Sequence, residues 1–292
     1  MKWAHSAVLT LTTLLGMLAT SEAHAAIISN GSLVVDISDS NGSINSVILD
    51  GTEFFRHGTY VSDFGFQNGT DIGTFVLNTA EGFTGQLVSV TGTTVSGNYV
   101  GGGADIQFSR NYSLVSGVNV LRITTQLTNQ GIAPTTVSYF DSFDPDQGFP
   151  ILGYFTFNDV ISLAGTVAGE ASALSGYTFV AGSLDPRVVV ASGGPFAIIS
   201  GSLLNDFFDF PVDDNGFLDD LGTHLGLRVL LGAGQTTSVT YDLAFGPSSA
   251  EARDEYTAAQ VPEPGSIAIF AAGSALFGVV NRRRRKTELK AS

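Results

Sequence analysis

Between residues 26 and 247 the chain consists of short apolar runs separated by glycine, asparagine and aspartate. The runs are rich in Val, Ile, Thr, Tyr and Phe, which is typical of half-buried strands. About a dozen strands in one open sheet would curl or split, so the sequence predicts an all-β fold, a large antiparallel β-sandwich. The predicted strands are Leu33–Ser38, Ile44–Leu49, Gln86–Thr91, Thr94–Val100, Ile106–Leu114, Val118–Asn129, Thr135–Phe143, Arg187–Ala191, Phe196–Ser200, Leu225–Leu231 and Thr237–Phe245.

Turn and cap signals mark where these elements end. Asn41-Gly42 and Asp50-Gly51 favour tight hairpin turns because both residue types tolerate positive φ. Helix signals are nearly absent before Pro247, where Ser248 to Glu251 form a capping box. The sequence therefore predicts a β domain over residues 26–247 and a short polar helix or linker over 248–260, beside the membrane.

The charge of the region between the two chain ends excludes one class of function. Residues 26–260 hold 24 aspartates and glutamates against six arginines and no lysine, a formal charge of −18. Nucleic acid and anionic lipid headgroups would repel such a domain, so we expect no nucleic-acid partner. The chain has no cysteine, so neither a disulfide nor a cysteine-ligated metal is available.

The N-terminal segment has the three parts of a secretory signal. Lys2 precedes an apolar run from Ala7 to Ala19, and Ala23-His24-Ala25 follows a polar stretch. This pattern predicts a signal peptide over residues 1–25, cleaved after Ala25 at an Ala-x-Ala site formed by Ala23 and Ala25. The alternative is a buried N-terminal helix of the mature fold.

The C-terminal segment combines a proline motif, an apolar stretch and a basic block. Val261-Pro262-Glu263-Pro264-Gly265 precedes the uncharged stretch 266–280. As a helix, 265–280 would measure about 24 Å against a hydrocarbon core of roughly 30 Å, a short single transmembrane helix. The positive-inside rule places the following basic block in the cytoplasm and the β domain outside. That block is Arg282, Arg283, Arg284, Arg285 and Lys286, followed by a cytoplasmic tail over 287–292.

This order of parts over 261–286 resembles the PEP-CTERM sorting signal of Gram-negative bacteria. The resemblance implies that an exosortase of the inner membrane recognises Pro262, Glu263 and Pro264 and removes the helix and basic tail. It also implies a transient inner-membrane precursor, display at the cell surface or release, and association with exopolysaccharide and biofilm matrix. The alternative is an ordinary single-pass anchor behind a proline-containing linker.

Two acidic clusters are candidate cation sites because Ca²⁺ prefers several oxygen ligands and tolerates irregular geometry. The second cluster, within residues 206–220, matches part of an EF-hand loop. However, Pro211 takes the first ligand position and no glutamate closes the loop. A turn and a solvated acidic loop are the respective alternatives. The candidate ligands are Asp141, Asp144 and Asp146 in the first cluster, and Asp213, Asn215 and Asp219 in the second.

A catalytic pair is the third candidate. After export only His57 and His224 remain in the domain, with Glu53, Glu81 and Glu170 as partners for acid–base chemistry. The region from Gly51 to Asn129 resembles the β-supersandwich of sugar mutarotases, whose enzymes pair a glutamate base with a histidine acid. No motif surrounds either histidine, so we expect structural histidines and no catalytic residue.

The sequence therefore predicts a non-enzymatic, exosortase-sorted surface or biofilm-matrix protein that contacts exopolysaccharide. It predicts no required cofactor, with Ca²⁺ as the candidate ion. The alternative is a carbohydrate-active enzyme or lectin-like module on the same sandwich. A concave pocket that gathers His and Glu would favour catalysis, and a row of exposed aromatics on one sheet face would favour sugar binding.

Overall fold

The computed structural model describes residues 26–39, 42–55, 62–69, 71–74, 88–147, 155–163, 165–193, 207–213 and 215–261. Strands in this part of the chain form three antiparallel sheets. The four-stranded sheet has the order β1-β2-β3-β4 and consists of Ala26–Ser29, Leu33–Ile37, Ile44–Leu49 and Thr52–Glu53. This meander follows the predicted turns, since Gly42, Asp50 and Gly51 have φ values of 73°, 49° and 84°.

The nine-stranded sheet forms one whole layer of the molecule, in the order β16-β12-β13-β14-β18-β10-β9-β8-β7. In chain order its strands β7 to β10 are Val88–Thr91, Thr94–Gly101, Ala104–Leu114 and Val120–Asn129. Its strands β12 to β14, β16 and β18 are Thr156–Leu163, Thr166–Ala173, Thr178–Gly182, Phe217–Asp219 and Thr236–Gly246.

The five-stranded sheet has the order β15-β17-β11-β5-β6. Its strands β5, β6, β11, β15 and β17 are Ser62–Asn68, Asp71–Thr74, Thr135–Phe143, Val188–Ser192 and Thr223–Leu231. Together with the four-stranded sheet it faces the nine-stranded sheet across one aromatic-rich core. Phe66 packs on Phe108 at 5.1 Å between ring centroids, and Phe54 packs on Phe245 at the same distance. The predicted antiparallel β-sandwich is confirmed.

One helix, α1 (Ser249–Ala259), packs on the outer face of the nine-stranded sheet. The serine half of the predicted capping box is formed, since Ser248 Oγ accepts from the Glu251 amide at 3.3 Å. The Glu251 carboxylate accepts from the Ser248 hydroxyl at 3.1 Å, whereas a full capping box would have it accept from the Ser248 backbone amide. Ala252, Tyr256 and Ala259 are buried against the sheet, so this segment is part of the folded domain rather than a free linker.

Strands β12 to β14 have no counterpart in the sequence prediction. Strand β13 and the end of β14 are rich in Ala and Gly instead of large alternating side chains. Their small residues permit close approach on both faces. A Cβ at Gly169 would lie 2.6 Å from Thr223 Cγ2 of the opposite sheet, and one at Gly182 would lie 2.5 Å from the Tyr256 hydroxyl of α1. The small residues therefore serve packing between layers.

Two predicted elements lie outside the described residues: the strand Phe196–Ser200 and the transmembrane helix within 261–286. Among the residues that the structure describes, no helix has both the length and the apolar character to cross a bilayer.

Candidate functional site

The outer face of the five-stranded sheet carries a row of polar side chains. Along β11, Tyr139 points into the core, so Ser138 before it points outward. Ser138 pairs with Gln67 on β5 and with Arg228 on β17. The strand register therefore places an amide, a hydroxyl and a guanidinium side by side on one face.

This row forms the floor of an open cleft of about 380 Å³, which we call the sheet cleft. Asn68 is fixed at its edge, since its side-chain nitrogen donates to Thr135 Oγ1 at 3.1 Å and to the Gly102 carbonyl at 2.9 Å. The described lining is polar and includes one charged residue: Gln67, Asn68, Gly69, Thr136, Ser138 and Arg228.

Arg228 is held in place from three directions. Its Nε donates to Ser138 Oγ at 3.2 Å, and Nη1 lies 3.1 Å from Asp209 Oδ1. Its guanidinium carbon lies 4.5 Å above the ring of Phe208, a cation–π arrangement. Asp209 offsets the positive charge, so the sheet cleft combines fixed hydrogen-bonding groups with a local charge near zero.

A glycine on β17 makes this aromatic support possible. A Cβ at Gly226 would lie 2.4 Å from Phe207 and 2.8 Å from Phe208, closer than side chains pack. The segment 207–209 can therefore lie flat on the sheet and bring Phe208 under Arg228. In the sequence these phenylalanines stand within an acidic run, and nothing there indicates that they support an arginine.

Two of the candidate catalytic residues that the structure describes, His224 and Glu170, do not meet. His224 is buried on the same outer face as the sheet cleft, with Nδ1 at 2.9 Å from Ser142 Oγ and its ring 6.1 Å from Phe207. Glu170 lies on the outer face of the other layer, where it binds Arg253 Nε at 2.5 Å and Ser249 Oγ at 3.0 Å. The whole sandwich separates the two side chains, so they form no acid–base pair.

The remaining catalytic candidates are Glu53, His57 and Glu81. Glu53 accepts from the Val47 amide at 2.9 Å and from the Phe55 amide at 3.2 Å, so it closes a turn of the four-stranded sheet. His57 and Glu81 lie outside the described residues.

Three carboxylates from the two acidic clusters converge. One oxygen each of Asp144, Asp146 and Asp220 lies within 4.8 Å of the others, and the first two residues are buried. The antiparallel register explains this: Phe143 pairs with Thr223, so the residues after β11 run beside those before β17. Such a set of oxygens suits a hard divalent cation. Asp220 follows the predicted ligand Asp219 in the second acidic run, but only the strand register shows that it lies beside the first cluster.

The other candidate ligands lie elsewhere. Asp141 pairs with Arg110 inside the core, with 2.6 Å between Oδ1 and Nη2. Asp213 Oδ1 accepts from the Asn215 amide at 3.0 Å, so the two candidate ligands Asp213 and Asn215 belong to one turn. The same oxygen accepts from the Val160 amide of β12 at 3.1 Å. Asp219 Oδ1 accepts from the amide of the next residue at 2.9 Å.

The residues predicted for export and sorting lie outside the described residues. They are Ala23, Ala25, Pro262, Glu263, Pro264, Arg282, Arg283, Arg284 and Arg285.

Comparison with protein families identifies the C-terminal segment. Residues 260–286 match the PEP-CTERM protein-sorting motif, which confirms the sequence prediction for this segment. No curated protein matches the chain in sequence.

Solved structures are similar to the β domain at low sequence identity. A bacterial glucoamylase complexed with acarbose is 11% identical with a TM-score of 0.50, over 77% of this chain and 32% of that chain. This chain thus spans about a third of the glucoamylase. A galactose mutarotase related enzyme from Lactobacillus acidophilus is 11% identical with a TM-score of 0.41, over 77% of this chain and 98% of that chain.

A galactose mutarotase-like protein from Lactobacillus casei is also 11% identical, with a TM-score of 0.40, over 76% of this chain and all of that chain. These neighbours match the mutarotase-like resemblance noted for residues 51–129, and the likeness concerns the fold alone. The sorting motif makes the chain a membrane-anchored precursor that an exosortase sorts to the cell surface.

Proposed function

We propose that the β domain, once sorted to the cell surface, binds neutral saccharide chains of the exopolysaccharide matrix in the sheet cleft without chemically changing them. The observation that carries this proposal is the fixed polar row of Gln67, Ser138 and Arg228 on the outer face of the five-stranded sheet. The amide and the hydroxyl donate and accept hydrogen bonds, and the guanidinium donates them, so the row can bind sugar hydroxyls, which do both.

Charge supports a neutral ligand. The region over residues 26–260 carries a formal charge of −18, which disfavours an acidic polymer. Asp209 offsets the charge of Arg228 in the sheet cleft. A hydroxyl-rich, uncharged chain meets no electrostatic penalty there and exchanges its water hydrogen bonds for fixed protein ones.

The chemistry of the lining supports binding rather than catalysis. The described lining of the sheet cleft contains neither a carboxylate nor a histidine. Hydrolysis or epimerisation of a sugar needs a general acid and base within hydrogen-bond reach of the ring. The described pair that could supply them, Glu170 and His224, lies on opposite faces of the sandwich.

Retention on purified exopolysaccharide from the source organism tests the proposal. The mature domain, residues 26–261, should be retained, and Arg228→Ala should weaken retention about tenfold, the loss of a charge-assisted hydrogen-bonding group. Arg187→Ala is the matched control, because Arg187 forms a similar surface pair with Asp185 away from the cleft. Retention should persist at high salt because the ligand is uncharged.

Three results would contradict the proposal. Absence of retention would remove matrix binding, and equal retention of Arg228→Ala and wild type would remove the sheet cleft as its site. Release of new reducing ends from the polysaccharide would establish catalysis in place of simple binding.

We also propose that Ca²⁺ binds Asp144, Asp146 and Asp220 and stabilises the domain. The convergence of their oxygens within 4.8 Å supports this, since a cation offsets the mutual repulsion of close carboxylates.

A further inference from the structure

The end of helix α1 is tied to the nine-stranded sheet by a set of side chains that we call the clamp: Arg122, Asp242 and Gln260. Arg122 on β10 forms two parallel hydrogen bonds with Asp242 on β18, at 2.7 and 2.8 Å. Asp242 also accepts from Gln260 Nε2 at 2.8 Å. Arg122 donates in addition to the Ala259 carbonyl at 3.0 Å.

The clamp suits the electrostatics of a helix end. The last carbonyls of a helix lack intrahelical donors and carry partial negative charge. The last turn of α1 contains no basic residue, so Arg122 of the sheet supplies the missing cation. Arg122 and Asp242 are paired residues on neighbouring strands, and Asp242 is 3% exposed, so the clamp stands on a rigid base.

The clamp lies at the boundary of the sorting segment. Gln260 is both its last residue and the first residue of the matched PEP-CTERM motif. Pro262 follows two residues later, so at most about 7.6 Å of chain separates it from the clamped Cα of Gln260. The folded domain therefore ends where the sorting motif begins.

Release of α1 from the sheet would greatly increase the length of chain between the folded domain and Pro262. If residues 249–260 left the sheet and became extended, they would add about 40 Å of chain between the domain and the motif. An enzyme that grips an extended stretch needs residues on both sides of its motif, and the clamp keeps those before Val261 in a helix.

We propose that Arg122, Asp242 and Gln260 are positioning residues for the sorting reaction: the clamp holds α1 on the sheet directly before the sorting segment in the chain, and its opening gives the exosortase access. The strength of the clamp then sets how fast the membrane-anchored precursor is processed. This inference rests on the sorting motif and on the contacts of α1, and it is independent of saccharide binding.

The test is the processing rate of the full-length precursor in cells that contain the exosortase, followed by pulse–chase and mass spectrometry. Arg122→Ala should raise the rate about fivefold, the factor expected when a few hydrogen bonds that hold a local structure closed are lost. Arg187→Ala is the matched control, since Arg187 forms a surface ion pair with Asp185 and is not part of α1 or the clamp. Its processing rate should equal that of wild type.

A linker insertion tests whether the clamp acts by limiting access to the sorting motif or only by stabilising the folded domain. Eight or so Gly and Ser residues between Gln260 and Val261 give the enzyme a free segment of about 25 Å with the clamp intact. The inserted precursor should be processed faster than wild type, and adding Arg122→Ala should then have no further effect. Pro262→Ala with Glu263→Ala should stop processing in every background.

Either of two results would overturn the proposal. One is an unchanged or slower rate for Arg122→Ala in a domain that circular dichroism shows to be folded. The other is a linker insertion that leaves the wild-type rate unchanged.

Discussion

Arg110 and Asp141 form an ion pair inside the sandwich core, where neither side chain is exposed to solvent. Arg110 Nε also donates to the Tyr112 hydroxyl at 2.6 Å, and Nη1 donates to the Tyr139 hydroxyl. Its guanidinium carbon lies 4.7 Å from the centroid of the Phe64 ring. Burial raises the pKa of Asp141, and the nearby charge of Arg110 opposes that rise.

Asp141→Asn should destabilise the domain by about 3–5 kcal/mol, because it leaves the buried charge of Arg110 without a counterion. Urea unfolding measures this change. The double variant Arg110→Met with Asp141→Leu is the control, and it should recover most of the loss since both charges leave the core together. Equal stability of Asp141→Asn and wild type would show that the pair does not hold the core together.

Helix α1 is the element that joins the β domain to the sorting segment, and Tyr256 is its largest buried side chain. Gly182 and Gly246 bring the helix close to the sheet: a Cβ at Gly246 would lie 2.5 Å from the Ala252 nitrogen. Burial raises the pKa of Tyr256 to about 12. The folded domain therefore favours the neutral phenol.

The raised pKa of Tyr256 determines how the stability of the domain changes at alkaline pH. The contribution of Tyr256 to stability is fully present below the ordinary tyrosine pKa of about 10 and is lost as pH rises towards 12. Tyr256→Phe should therefore lose less stability than wild type between pH 10 and 12, measured by urea midpoints at several pH values. The other buried tyrosines are common to both proteins, so parallel curves would contradict the prediction.

At the scale of the whole molecule, three carboxylates from distant parts of the chain meet within the part of the acidic domain that the structure describes. Asp144 and Asp146 follow β11, whereas Asp220 precedes β17, more than seventy residues later. A cation bound there would connect the two central strands of the five-stranded sheet where the loops begin. It would also reduce the net negative charge of the domain.

Saturating Ca²⁺ should raise the Tm of the mature domain by about 5 °C relative to excess EGTA, because a ligand that binds only the folded state stabilises it. Asp146→Asn should abolish this difference. Asp213→Asn should retain it, since Asp213 binds backbone amides at 3.0 and 3.1 Å and lies outside the cluster. If Ca²⁺ raised the Tm of both variants equally, the ion would bind somewhere other than Asp144, Asp146 and Asp220.

Local chemistry determined much of the fold from the sequence alone. Asp50-Gly51 turns the chain because both residues adopt positive φ, and the Ser248 N-cap begins α1 where the pattern predicted. Alternation in runs such as 106–114 predicted strand β9, since each successive side chain faces the opposite side of a sheet. The sorting motif is likewise readable because its parts are contiguous.

The candidate sites were decided only by the tertiary structure, because they depend on which strands pair and in which register. The sheet cleft joins Gln67, Ser138 and Arg228 from three strands, and the carboxylate cluster joins two acidic runs that the sequence presents as separate. Glu170 and His224 are separated because strands β13 and β17 belong to opposite layers and both side chains point outward. The local pattern sets which face each strand buries, whereas the choice of partner among distant strands is made only when the sheets pack.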